Sequence, residues 1–312
     1  VSADLEGRHL LLFGAGYCAR AVAAQALARG ARVSATARTD TAAARLAARG
    51  IRPWRLADGH WLPRMALAGV TDLLVSTPPA SGGCPAFASV SDALAAGASL
   101  GTLRWIGYYS SSAVYGDCSG AWIDERQPPA PASPDAQGRL VAERHWRGLA
   151  LRHRLTLDIL RIAGIYGPEG RNILAQLRSG RARAIIKPGQ VFNRIHRDDI
   201  AAATLAALRH PRPERLIHLA DGAPCSSAEL TRGVAALMGL PAPPEHPFDA
   251  AALPAGMAAF WAENRRLRVD AMLALPGFAL RFPDWRAGYA DLLQDPEAEP
   301  PPVSAATAAP AR

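Results

Sequence analysis

Cysteine is scarce in this chain and, where present, isolated. Cys18, Cys84, Cys118 and Cys225 form no Cys-x-x-Cys pair and have no histidine at ligand spacing. That argues against a zinc site or a redox dithiol, and no metal is expected. Long apolar runs are missing as well: no stretch reaches the roughly 18 consecutive apolar residues of a membrane span. Val1 to Arg8 has neither a basic n-region nor an apolar h-region, so a cytoplasmic protein with no membrane partner is expected. Basic runs are absent too. The 35 basic and 27 acidic residues leave a formal charge of +8, but arginine supplies nearly all the positive charge and is spread along the chain. Without the aromatic interleaving that grips single strands, no nucleic-acid partner is expected. The excess suits an anionic cofactor or substrate instead.

The 312 residues, 49% of them hydrophobic, suffice for one large α/β domain with a smaller lobe. Short β-branched or leucine-rich runs alternate with alanine-rich stretches through the first half. Strands are predicted at His9 to Phe13, Arg32 to Thr36, Thr71 to Ser76, Leu103 to Ser110 and Thr156 to Ile162. Helices are predicted around Ala19 to Arg29, Ala42 to Arg49, Ala86 to Ala96 and Ala136 to Arg152. This alternation predicts a Rossmann-type, doubly wound parallel sheet with a smaller C-terminal substrate lobe. From Gly167 the alternation loosens. The expected division is a dinucleotide-binding domain over 1–166, rejoined by 191–222 through a helix at Asp198 to Arg209 and a strand at Arg215 to Ala220. A substrate lobe is expected over 167–190 and 223–294, with helices near Ser227 to Met238 and Asp249 to Asn264. Residues 295–312, rich in Pro, Ala and Glu, read as a disordered tail.

The first strand runs into Gly14-Ala15-Gly16-Tyr17-Cys18-Ala19 and then into a helix, the context that a dinucleotide fingerprint requires. Gly14 allows the turn, Gly16 lets the backbone approach a pyrophosphate, and Ala19 keeps helix and strand close. Tyr17 and Cys18 open the helix at the phosphates. An NAD-specific site places a carboxylate at the end of the second strand to bind the ribose hydroxyls. Here that end reads Thr36-Ala37-Arg38-Thr39, and the Arg38 guanidinium suits a 2′-phosphate. The cofactor is therefore expected to be NADP(H) rather than NAD(H). Asp58, after the expected third strand, is the candidate for the adenine amine, and Ser76-Thr77-Pro78 forms a rigid turn where the chain passes the ribose.

The segment Tyr108-Tyr109-Ser110-Ser111-Ser112-Ala113-Val114-Tyr115-Gly116 is followed by Asp124-Glu125 and a helix bearing Ala142-Glu143. Arg161-Ile162-Ala163-Gly164-Ile165-Tyr166-Gly167-Pro168 and Arg194-Ile195-His196-Arg197-Asp198-Asp199-Ile200 come later. With the glycine loop, this order resembles the extended short-chain dehydrogenase/reductase superfamily, also called the NAD-dependent epimerase/dehydratase family, across nearly residues 9 to 292. The resemblance implies that Ser111 hydrogen-bonds the reacting oxygen, and that Ala163, Gly164 and Ile165 run beside the nicotinamide. It places Arg139 where the family has lysine and Asp135 where it has tyrosine. Ser112 and Ala113 replace the Asp-Glu of the dehydratases, which disfavours elimination.

A guanidinium can still hold the nicotinamide ribose, but an ordinary aspartate near pKa ~3.9 is a base and not a proton donor at neutral pH. The remaining candidates near the reaction are Tyr115, Tyr166 and His196, although in the family's motifs the two tyrosines are more often packing residues and the histidine braces the lobe junction. Lys187 and Arg194 are candidates for an anionic substrate. Two functions follow: an NADP(H)-dependent oxidoreductase or epimerase of a small polar or anionic substrate with a nonstandard proton donor, or a noncatalytic NADP(H)-binding sensor or partner-binding protein. The family resemblance also raises a homodimer through the helices at 86–96 and 136–152, whose apolar faces suit ordinary sheet packing equally.

Overall fold

A computed structural model describes residues 4–56, 62–80, 83–95, 97–98, 100–251 and 260–294. The chain runs through β1 (His9–Phe13), α1 (Tyr17–Leu27), β2 (Arg32–Ala37), α2 (Asp40–Ala47), β3 (Arg52–Arg55), β4 (Asp72–Val75), α3 (Pro85–Ala95) and β5 (Trp105–Ser111). It continues through β6 (Trp122–Ile123), α4 (Pro134–His153), β7 (Thr156–Ile162), β8 (Gly164–Tyr166), α5 (Leu174–Arg178), β9 (Ala184–Ile186), β10 (Arg194–His196), α6 (Arg197–Arg209) and β11 (Glu214–Leu219). Then come α7 (Ser227–Leu237), β12 (Glu245–Pro247), β13 (Arg266–Leu267) and a final helix, Trp285–Leu292.

Seven strands form one parallel sheet in the order β11-β7-β5-β4-β1-β2-β3. The order reverses beside β1, so the C-terminal ends of β1 and β4 flank the crevice where such folds take ligands. The central strands are buried on both faces, which is why they read as continuous Leu, Val and Ile runs. One face is covered by α1 and α6. Ala19, Val22, Ala23 and Ala26 of α1 are buried there with Ala203, Ala206 and Ala207 of α6, and these small side chains let the helices approach closely. The other face is covered by α3 and α4, around Val90, Trp146 and Leu149. A third cluster joins Tyr166, Leu174, Val234, Trp285 and Tyr289 beyond the sheet.

Six of the seven main strands fall where the alternation places them, to within a residue or two; β3, Arg52–Arg55, is expected from the sequence only as a third strand without bounds. Helix α1 starts at Tyr17, earlier than the alanine run suggests, because Gly16 takes the N-cap position. Similarly, α4 starts at Pro134, after Ser133 caps it. Of the helix predicted at Asp249 to Asn264, residues 252–259 lie outside the described residues and 260–262 are helical. The expected tail and Asp58 also lie outside them. No helix among the described residues is long and apolar enough to cross a membrane.

Candidate cofactor and catalytic site

Three strands hold the glycine loop. Gly14 has φ of +89°, its N–H donates to Thr36 Oγ1 at 2.8 Å, and its carbonyl accepts from Ser76 Oγ at 2.8 Å. A Cβ on Gly14 would stand 2.7 Å from Thr77 Cγ2, so the loop passes too close to the β4 end for any side chain. Thr36 and Ser76 thus shape the loop, their hydroxyls already engaged by its backbone. Gly16 is the opposite case. A Cβ there would meet nothing within 4 Å, and no side chain caps α1. The first-turn N–H groups of an uncapped helix, with about half an elementary charge of positive dipole, form an anion site. The tight cradle at Gly14 and the open approach at Gly16 fit a dinucleotide pyrophosphate.

Arg38 is exposed just beyond β2 and, among the described residues, makes no hydrogen bond or ion pair. The nearest carboxylate in sequence, Asp40, receives Arg55 Nε at 2.8 Å. Thr39 is occupied as the N-cap of α2. Pro78 is exposed, while Pro79 packs on α4: a Cβ on Gly138 would be 3.3 Å from its ring. That contact brings α4 against the glycine-loop side of the molecule.

At the end of β5, Ser111 is half-buried and its Oγ accepts from Ala113 N at 3.2 Å. The hydroxyl proton is left to donate elsewhere. Arg139, half-buried on α4, sends Nη1 to the Tyr109 carbonyl at 3.0 Å. Structure brings these two together at the strand end. Asp135 is exposed in the first turn of α4, where a negative charge favours the helix dipole.

Tyr115 faces inward. Its hydroxyl is 2.5 Å from His218 Nε2, and His218 Nδ1 is 2.9 Å from the Arg268 carbonyl. A carbonyl only accepts, so Nδ1 carries the proton and Tyr115 donates to Nε2. Burial pushes Tyr115 up to about 12 and lowers His218, so the phenol stays protonated and the imidazole neutral. Arg161 lies over the Tyr115 ring at 4.6 Å and grips buried Glu143 through Nε at 2.9 Å and Nη2 at 2.7 Å. Ser110 Oγ completes the network at 2.6 Å.

The other candidates are similarly engaged. Ala163 and Gly164 donate backbone N–H groups to Leu219 and Asn193 carbonyls, each at 3.0 Å, and Ile165 is half-buried. Tyr166 is buried, stacked on Tyr289 at 5.4 Å, and its hydroxyl reaches the Asp284 carbonyl at 3.4 Å. Buried His196 caps α6 by accepting from Asp198 N at 3.2 Å, and burial lowers it to about 4. Lys187 donates to the Trp261 carbonyl at 2.5 Å, and Arg194 to the Phe192 and Cys225 carbonyls at 3.1 and 3.2 Å.

Asp221, two residues past β11, went unnoticed in the sequence. Its Oδ1 accepts from Ala223 N at 3.0 Å, while Oδ2 is buried without a partner. Burial pushes this carboxyl up to about 7, against the pull of Arg194. In sequence, Ala220-Asp221-Gly222 reads as an ordinary turn, because the desolvating neighbours come from distant segments.

The geometry agrees with what comparison with known proteins finds. Residues 92–218 match the model of the NAD dependent epimerase/dehydratase family. No curated protein matches the chain. Among solved structures, a conserved protein of unknown function from Silicibacter pomeroyi is 39% identical, with a TM-score of 0.84 over 93% of this chain and 99% of that one. A human epimerase family protein, solved with NADPH, is 18% identical at a TM-score of 0.70, covering 92% of this chain and 99% of that one. A UDP-glucose 4-epimerase from Thermotoga maritima, solved with UDP-glucose, is 14% identical at 0.72, covering 90% and 96%. With the family's model matched over residues 92–218 and the parallel sheet and open glycine loop present, the chain belongs to the NAD-dependent epimerase/dehydratase family.

Proposed function

We propose that the protein is an NADP(H)-dependent oxidoreductase or epimerase of a small polar or anionic substrate. The carrying observation is the unpartnered Arg38 guanidinium past β2, beside an Asp40 already held by Arg55. A free guanidinium with no competing carboxylate favours a 2′-phosphate over bare ribose hydroxyls. The bound nicotinamide would supply the hydride chemistry. Around it, Gly14, Gly16, Tyr17, Cys18 and Ala19 would present the phosphate loop, and Arg139 would hold the ribose from the β5 end. Ser111 would donate its free proton to a substrate oxygen. With Tyr115 donating inward to His218, an ordered water is the better candidate for completing proton transfer. Asp135, exposed in the first turn of α4, would act as base toward such a water.

The test is calorimetric titration with NADPH and NADH, then turnover against aldehyde, ketone, imine and sugar-nucleotide panels. Arg38→Ala is expected to erase a preference for NADPH of about tenfold or more; equal affinities in the unmodified protein would sink the assignment. The inward commitment of Tyr115 favours a second reading, a noncatalytic NADP(H) sensor. That reading fails if any turnover is found that Ser111→Ala removes while leaving NADPH affinity intact.

A further inference from the structure

Three arginines from separate parts of the chain converge on the first turn of α1. Arg171 and Arg197 place their guanidinium carbons 5.4 and 5.1 Å from the centre of the Tyr17 ring. Arg20 and Arg197 hold opposite oxygens of Glu169, at 2.5 and 2.9 Å. Arg171 is exposed and, among the described residues, has no acidic partner. All three cations also act on the Cys18 thiol, the second residue of α1, where they oppose the rise to about 11 caused by burial. The Tyr17 hydroxyl donates to the Pro168 carbonyl at 2.8 Å, pinning the 167–171 turn against the helix.

The charge at this corner does not balance. Among the described residues, Arg20, Arg171 and Arg197 face only the carboxylates of Glu169 and Asp198, and the N-termini of α1 and α6 add positive dipole. The Glu169 contact with Arg20 is that of a replaceable ion, while Arg197, 17% exposed, is the more buried partner. The Glu169 side chain is 43% exposed and Arg20 is 33% exposed, and pairs of that kind add little stability. A more highly charged anion at the same place would displace it readily.

We propose that Arg171, with Arg20, clamps the cofactor's pyrophosphate from the side opposite the glycine loop, and that Glu169 is the resident counter-ion which the pyrophosphate displaces. This rests on the NADP(H) reading above and extends it to residues outside the glycine fingerprint. Arg197 remains with Asp198 at 3.0 Å and serves as the fixed side of the corner.

Calorimetry on the full chain tests it with three probes: NADPH, 2′-AMP, which lacks a pyrophosphate, and inorganic pyrophosphate. Arg171→Ala is expected to weaken NADPH about tenfold, to weaken inorganic pyrophosphate similarly, and to leave 2′-AMP within about twofold. Glu169→Gln is expected to tighten NADPH and pyrophosphate severalfold, most at low salt. Unchanged NADPH affinity in Arg171→Ala overturns the clamp, as does an equal loss for 2′-AMP. Weaker NADPH binding in Glu169→Gln overturns the counter-ion role. If the unmodified protein binds pyrophosphate in an Arg171-dependent way but not NADPH, the corner stands and the cofactor reading fails. Near-ultraviolet circular dichroism on each variant separates misfolding from lost contacts.

Discussion

At α1 the N-terminal turn has Gly16 as its cap and no side chain on its amide groups. At α4, whose start lies at the same edge of the sheet, Ser133 accepts from Ala136 N at 3.2 Å, Pro134 fills the first position and Asp135 adds a negative charge to the first turn. One helix leaves its donors for an incoming anion, and the other satisfies them from its own sequence. The contrast extends outward. Around the glycine loop, Arg38 and Arg171 stand without acidic partners among the described residues, whereas around β5, Tyr115, Glu143, Arg161 and His218 are joined to one another. The glycine-loop side is therefore built with vacant polar capacity, and the β5 side has spent most of its own on the fold.

Breaking the closed half has the largest expected effect. Glu143→Ala leaves Arg161 buried, 2% exposed, without its carboxylate, which costs about 3–5 kcal/mol. Urea unfolding measures this, and a loss below about 1 kcal/mol would mean that water replaces the carboxylate and that the network is not closed.

Asp221 ranks next. Its folded-state pKa of about 7 lies above the ~3.9 of an unfolded chain, so the folded form keeps a proton that the unfolded form releases. The Asp221 contribution to stability is therefore fully present below pH about 4 and is lost as pH rises to about 7. Asp221→Asn is expected to be more stable than the unmodified protein at pH 8 by about 2–4 kcal/mol, the advantage vanishing toward pH 4. His196, depressed to about 4, contributes the opposite slope between about pH 4 and its ordinary value near 6.5. The measurement is accordingly the variant-minus-native difference across pH. A pH-independent difference would remove the argument.

In the open half, Gly14→Ala forces a Cβ to within 2.7 Å of Thr77 Cγ2 at φ of +89°. We expect a stability loss of about 1–3 kcal/mol, together with NADPH affinity reduced more than about tenfold. Retained affinity would show that the loop is not where the pyrophosphate binds. The smallest effect belongs to Asp135→Ala, about 0.5 kcal/mol from the helix dipole, with NADPH affinity unchanged. A fall in NADPH affinity there would place Asp135 against the cofactor and blur the contrast between the two halves.

Much of this was legible from the chain. Six of the seven sheet strands carry enough apolar residues in sequence to mark themselves, the edge strand Arg52–Arg55 being the exception, and Gly14-Ala15-Gly16 could be read as a phosphate loop because a strand precedes it and a helix follows. Two- and three-residue strands such as β8, β10 and β13 were not legible: a run that short carries no period, and each exists only because a distant segment pairs with it. The same holds within the site. Arg38 and Arg139 are found by counting from a motif, but Tyr115 gives no sign in sequence that a histidine 103 residues away accepts its hydroxyl hydrogen bond.

The sequence by itself determined the sheet, the glycine loop and the absence of a carboxylate at the β2 end, since these are local patterns of shape and charge; the reading of Asp135 and Arg139 at the family's tyrosine and lysine positions rests on the resemblance. Only the tertiary structure decided which polar groups remain available. Arg20, Arg171 and Arg197 come together, Asp221 loses its water and Tyr115 turns inward because packing joins segments far apart in the chain, and desolvation and pairing depend on those neighbours.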